Sequence, residues 1–153
     1  MKIKKAKPEN AEEISKLIKQ TFKNIMSKDY PKKGHILFFN NKNTKKKVLE
    51  KIKKHNMFCI NDKDKIIGTI YLDNDLIGGL YIKHDHIKKG IGTKLLKFIE
   101  NYARKKGIKK VRLFSTKYGY PFYLKNNYKL VKKGFWNVNN LRAINYNMEK
   151  KLS

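Results

Sequence analysis

Residues 80–114 read LYIKHDHIKKGIGTKLLKFIENYARKKGIKKVRLF, and this stretch decides the fold. At its centre Gly90-Ile91-Gly92-Thr93 follows a basic loop, His84-Asp85-His86-Ile87-Lys88-Lys89. A helical repeat then begins, with Ile91, Leu95, Phe98, Ile99 and Tyr102 on one face and Gly107 as its C-cap. Extended runs flank it at residues 76–83 and 111–115. The order is strand, glycine-rich turn, helix, strand. Such a turn is an anion cradle. Glycine lets the backbone approach closely, the first N–H groups of the helix have no partner within it, and the macrodipole places positive potential there. A pyrophosphate is the natural guest. Two familiar phosphate loops are excluded by spacing: a Walker loop needs Gly-x-x-x-x-Gly-Lys-Ser/Thr, and a dinucleotide fingerprint needs a third glycine where Leu95 stands.

Upstream of this core, Ile3 opens a short strand, and Pro8 with an Asn10-x-x-Glu13 capping box starts a helix carrying Ala11, Ile14, Leu17, Ile18 and Phe22 at helical spacing. Residues 27–44 are irregular and apolar in the middle, a candidate substrate wall or a packed loop, and a helix with Val48, Leu49 and Ile52 follows. Residues 57–60, 65–72 and 76–83 form an antiparallel meander broken at Asn61-Asp62-Lys63-Asp64 and Asp73-Asn74-Asp75. Downstream come a short helix at 120–125 and two strands, near 128–135 and 142–149, joined at Asn139-Asn140. Together these elements predict a mixed α/β (α+β) fold in a single domain over 1–153.

The chain carries 38 Lys+Arg against 12 Asp+Glu, a formal net charge of +26, and only three of the bases are arginine. Acidic partners are favoured and cationic ones repelled. Because the lysines are spread over nearly every segment and no nucleic-acid-binding motif accompanies them, a solvated lysine-rich surface accounts for the charge better than nucleic-acid binding does. A basic RNA- or ribosome-associated protein remains the alternative. No apolar run approaches a membrane span or forms a signal peptide, so a cytoplasmic protein without membrane contact is expected. The single cysteine, Cys59, excludes an internal disulfide and sits in the apolar run Met57-Phe58-Cys59-Ile60, which reads as a buried thiol rather than a nucleophile. His84-x-His86 has no third ligand at suggestive spacing, so no metal is expected.

Taken whole, residues 80–114 followed by PFYLKNNYKL at 121–130 resemble the acetyl-CoA motifs of the GNAT superfamily, with the close match spanning about 76–131. The resemblance implies a mixed, mostly antiparallel central sheet of six to seven strands flanked by four helices. It implies an N-acetyltransferase, a monomer or homodimer, that takes acetyl-CoA and an amine acceptor and reacts by direct attack in a ternary complex. The family loop has the form Arg/Gln-x-x-Gly-x-Gly/Ala, and here Gly90 and Gly92 match its glycines while Ile87 stands at the Arg/Gln position. That position contributes its backbone N–H, with Lys88 and Lys89 nearby to supply charge. The resemblance therefore assigns Ile87, Lys88, Lys89, Gly90, Ile91, Gly92 and Thr93 to the phosphates, and Leu80, Tyr81 and Ile82 to the strand along the cofactor, where a backbone N–H stabilises the developing oxyanion. It places Phe122 and Lys125 against the cofactor and makes Tyr123, of the Phe-Tyr pair, the acid for the departing thiolate. Thr116 stands where the family often has asparagine. A GNAT fold that binds acyl-CoA without turnover is the remaining alternative.

Amide formation from a thioester needs a neutral amine, yet a lysine-like amine has a pKa of about 10.4, so a base must remove a proton. Of the acidic residues, Asp73 and Asp75 flank the turn into the strand at 76 and lead as base candidates, with Asp29 next. Gly78-Gly79 marks either a bulge that opens a slot beside the strand or simple close packing. The high positive charge points to an acceptor that is neutral, acidic or locally acidic rather than a polyamine.

Overall fold

The computed structural model describes residues 1–30, 32, 43–138 and 141–152. Turn chemistry cuts the middle of the chain into three strands: Lys63 and Asn74 adopt left-handed backbone at φ 54° and 53°, each reversing the chain between antiparallel partners. The elements are β1 (Lys2–Lys5), α1 (Ala11–Thr21), α2 (Lys45–Lys54), β2 (Asn56–Asp62), β3 (Lys65–Asp73), β4 (Leu76–Ile82), α3 (Ile91–Lys105), β5 (Lys110–Ser115), α4 (Tyr120–Lys125), β6 (Lys129–Val138) and β7 (Leu141–Lys151). Seven strands form one sheet in the order β1-β2-β3-β4-β5-β7-β6. Every neighbouring pair is antiparallel except β4–β5, which is parallel. The mostly antiparallel mixed sheet expected from the sequence is what forms.

Strand alternation divides β2 between two cores. Phe58 and Ile60 face α3, whereas Met57 and Cys59 face α1 and α2. On the first side α3 buries Ile91, Leu95, Leu96, Ile99 and Ala103. On the second, Ile14, Leu17 and Ile18 of α1 meet Val48 and Ile52 of α2. The sheet is thus covered on both faces, and truncating a fully buried side chain such as Leu95 to alanine costs about 2–5 kcal/mol.

Two local expectations give way to longer-range contacts. The Asn10–Glu13 capping box does not form: Asn10 Oδ1 accepts the Lys7 N–H at 2.8 Å, and Glu13 reaches across to the Ile66 N–H at 2.8 Å, fixing α1 to β3 instead. The buried stripe of α3 is also wider than its apolar spacing implies, because it includes Glu100, only 3% exposed. That carboxylate accepts the Tyr128 hydroxyl at 2.9 Å and Lys150 Nζ at 3.1 Å, so the charge enters the core already paired. The helix at 120–125 appears as expected, while the β6–β7 turn at Asn139-Asn140 and most of the irregular stretch 27–44 lie outside the described residues.

Candidate active site

The site arises from the one parallel junction in the sheet. Among the described residues β4 and β5 pair only at Leu76 opposite Arg112, where the Arg112 N–H also donates to the Asp75 carbonyl at 3.0 Å. Beyond this point the strands diverge. The cause lies on the other edge of β4: Thr69 pairs with Tyr81 but Tyr71 with Gly78, so β4 carries one residue more than β3 across the same span. Gly79 takes up the bulge at φ 62°, and Thr69, fully buried, donates its hydroxyl to the Gly79 carbonyl at 2.8 Å. Tyr71 lies over both glycines; a methyl group on Gly79 would come within 2.6 Å of its ring. The two glycines of β4 therefore mark a bulge and a close approach together.

The divergence opens a cleft of about 730 Å³. One wall is β4 itself, Leu76 to Ile82; the other is the end of β5 with α4, including Phe114, Ser115, Phe122 and Tyr123. Thr21 and Ile25, from the end of α1 and the π-helical turn after it, close one side, with Tyr71 and Trp136 nearby. Thr21 also donates its hydroxyl to the Ile82 carbonyl at 3.2 Å, tying α1 to the end of β4. Thr116, at the position where asparagine was the family expectation, instead closes the turn before α4, its hydroxyl accepting the Gly119 N–H at 3.1 Å.

At the far end of the cleft the basic loop enters α3. Gly90, the helix N-cap, has φ 79° and no side-chain cap, and a methyl group there would meet no atom within 4 Å. The free N–H groups of the first turn and the empty space beside Gly90 form a cradle of the kind phosphate oxygens occupy. Gly92 serves differently: a methyl there would sit 3.3 Å from Phe122, so this glycine lets α3 and α4 touch. His86 anchors the loop, with Nδ1 2.6 Å from Asp85 and Nε2 3.2 Å from Asp62. That hydrogen bond, before the nearby lysine, holds the exposed Asp85 carboxyl below its ordinary value.

The cleft brings together most of the residues singled out in the sequence: Leu80, Tyr81, Ile82, Ile87, Lys88, Gly90, Gly92, Thr93, Phe122, Tyr123 and Lys125 all line it. Lys89 is exposed outside the lining, and Ile91 points its side chain into the core. Asp73 and Asp75 are not lining residues either. Asp75 accepts from Arg112 Nε at 3.0 Å, and Asp73 lies 3.6 Å from Nδ1 of His55, whose ring stacks on Tyr71. The side chain of Asp29 lies outside the described residues. Among the lining residues that carry no assignment from the sequence are Thr21, Tyr71, Phe114 and Trp136; Tyr71 joins them through its cross-strand pairing with Gly78.

A family model described as an acetyltransferase (GNAT) domain matches residues 6–150. The chain belongs to the GNAT acetyltransferase family. Solved structures agree in fold. A GCN5-related N-acetyltransferase from Rhodopseudomonas palustris superposes with a TM-score of 0.91 at 17% identity, covering 98% of this chain and 94% of that one. The PaiA N-acetyltransferase from Thermoplasma acidophilum, solved with coenzyme A, gives 0.83 at 24% identity and covers 98% of each chain. An aminoglycoside 6'-N-acetyltransferase from Enterococcus faecium gives 0.73 at 17% identity, covering 100% of this chain and 98% of that one. No curated protein sequence matches the chain.

Within this GNAT site Tyr123 forms part of the cleft wall. Its ring is held edge-on between Phe122, at 5.1 Å, and Tyr128, at 5.7 Å, and the Tyr128 N–H donates to its carbonyl at 3.0 Å. Burial raises the Tyr123 hydroxyl above its ordinary value, so it keeps its proton throughout the neutral range. Tyr81 is raised first by burial and then by its tyrosine neighbours Tyr30, Tyr71 and Tyr123.

Proposed function

We propose that this single domain transfers the acetyl group of acetyl-CoA to a primary amine by direct attack in a ternary complex. The observation that carries the reading is the continuity of the cleft: it runs from the uncapped start of α3 at Gly90, along the free edge of β4, to Tyr123. The fit of the cofactor rests on the empty space at Gly90, which a side chain would fill, and on the cationic Lys88 and Lys125 beside it. In this reading the N–H groups of Gly90 to Thr93, with Ile87 and Lys88 before them, hold the phosphates, and Lys89 adds charge from outside. Leu80, Tyr81 and Ile82 hold the pantetheine arm, and Phe122 packs against it.

The bound thioester supplies an acyl carbon open to an amine nitrogen. As charge develops on the carbonyl oxygen, a backbone N–H of β4 within Leu80–Ile82, just past the bulge, stabilises it; donors of this kind are fixed before reaction and need no reorganisation. Tyr123 shares its proton with the departing sulfur. Asp75 and Asp73 act as positioning residues, the first by holding Arg112 opposite Leu76 at the start of β4, the second beside His55, whose ring stacks on Tyr71. A buried free thiol at Cys59 suits a reducing, cytoplasmic setting.

The test is release of CoA thiol from acetyl-CoA in the presence of an amine panel, with Tyr123→Phe in parallel. We expect Tyr123→Phe to lower kcat by about 10²-fold with little change in the KM for acetyl-CoA. Unchanged kcat would remove Tyr123 from the chemistry, and no thiol release with any amine would reject the enzymatic reading.

A further inference from the structure

The acidic residues of this chain are few enough that the acceptor end can be read from where they go. Glu12, Glu50 and Glu149 pair with lysines, Glu13 with the Ile66 N–H, and Glu100 with Tyr128 and Lys150 in the core. Asp62 and Asp85 hold His86, while Asp75 holds Arg112 and Asp73 faces His55. Glu9 and Asp64 are exposed on the surface. None of these side chains lines the cleft. The positions outside the described residues carry no Asp or Glu in the sequence, so they add no side-chain carboxylate; only Asp29 has an undescribed acidic side chain.

Among the described residues, the titratable groups that do line the cleft are Tyr71, Tyr81, Tyr118, Tyr123, His86, Lys88 and Lys125. Both ring nitrogens of His86 face carboxylates, which leaves neither one to take a proton from an amine. Burial raises the hydroxyls of Tyr71, Tyr81 and Tyr123, which makes their phenolates scarce as bases. The two lysines repel cations. The remaining walls near the bulge are apolar or aromatic, among them Ile25, Phe114 and Trp136.

We propose that the acceptor is a weakly basic amine of the α-amino type, on an uncharged or anionic body, and not a polycation. The inference deepens the N-acetyltransferase reading and rests on it. A cation entering this cleft would lose water without gaining a counter-charge, and the protein's field of +26 opposes it at long range. Proton balance leads to the same class. When a neutral amine attacks, the N–C bond forms, the C–S bond breaks, and the proton leaving nitrogen is matched by the one arriving on sulfur, relayed by Tyr123. No base beyond the cleft's own groups is then required. A protonated amine must first give up one proton more, and among the described residues the cleft has no carboxylate to receive it. At pH 7.5 about a third of an α-amino group is neutral, against about one lysine-like amine in a thousand.

The matched pair phenylalaninamide and 2-phenylethylamine tests this, since each has one amino group and the same ring. Spermidine and kanamycin serve as polycations, and acetyl-CoA titration of the same sample as the cofactor control. At pH 7.5 we expect kcat/KM for phenylalaninamide to exceed that for 2-phenylethylamine by about 10²-fold. The value for 2-phenylethylamine should climb about tenfold per pH unit up to pH 9.5, as its neutral fraction does. Asp29→Asn should leave both values within about twofold of wild type. Spermidine or kanamycin as the best acceptor overturns the inference while leaving the N-acetyltransferase reading intact. So does a tenfold loss of kcat/KM for phenylalaninamide in a stably folded Asp29→Asn, or acetyl-CoA binding without turnover of phenylalaninamide. Failure to bind acetyl-CoA overturns both.

Discussion

Glycines frame the cleft at both ends, and those of the β4 bulge and the one at the start of α3 are opposite in use. At Gly78 and Gly79 the space a side chain would need is already filled by the Tyr71 ring, so the protein spends the gap on itself and bends β4. At Gly90 the space is left open, within 4 Å of nothing, where the uncapped helix start can receive an anion. The β4 pair makes the slot; Gly90 makes its end attractive to a ligand. Substitutions at the two places should therefore separate, the bulge reporting in stability and the loop in affinity.

The largest effect is expected at the bulge. Gly79→Val forces a β-branched residue to φ 62° and into Tyr71, and should cost about 3 kcal/mol or more in denaturant unfolding. Gly78→Ala meets only the Tyr71 ring, so a double-mutant cycle with Tyr71→Ala should recover part of its loss; strictly additive costs would show that the ring does not enforce the bulge. The smallest stability effect belongs to Gly90→Ala, about 1 kcal/mol for a strained but uncrowded residue, accompanied by a drop of about tenfold in acetyl-CoA affinity measured by titration. A Gly90→Ala variant with unchanged affinity would break the comparison, because the open space would then have no occupant.

The loop side of this comparison was legible in the sequence and the bulge side only in part. Residues 80–114 switch from a strand run to a helical repeat across Gly90-Ile91-Gly92, and every signal involved is local. The α4 helix at Tyr120–Lys125 is equally local, set by the Thr116 turn before it and by Pro121 in its first turn. Gly78-Gly79 suggested a bulge, but Tyr71 joins the site only through a cross-strand register that the bulge itself shifts, which no spacing along the chain reveals. The same limit hid Glu100, whose partner Lys150 lies 50 positions away and turns a polar residue into a core one. It also governs Asp73 and Asp75: their turn was readable, whereas their exclusion from the cleft depends on where β4 parts from β5.

The most direct test of the central claim is isothermal titration of the protein with acetyl-CoA, with ATP and NAD as anionic controls. Saturable binding of acetyl-CoA, weakened by Gly90→Ala and not reproduced by either control, is the predicted result. Equal weak binding of all three would contradict it, leaving the start of α3 a generic anion site on a basic protein.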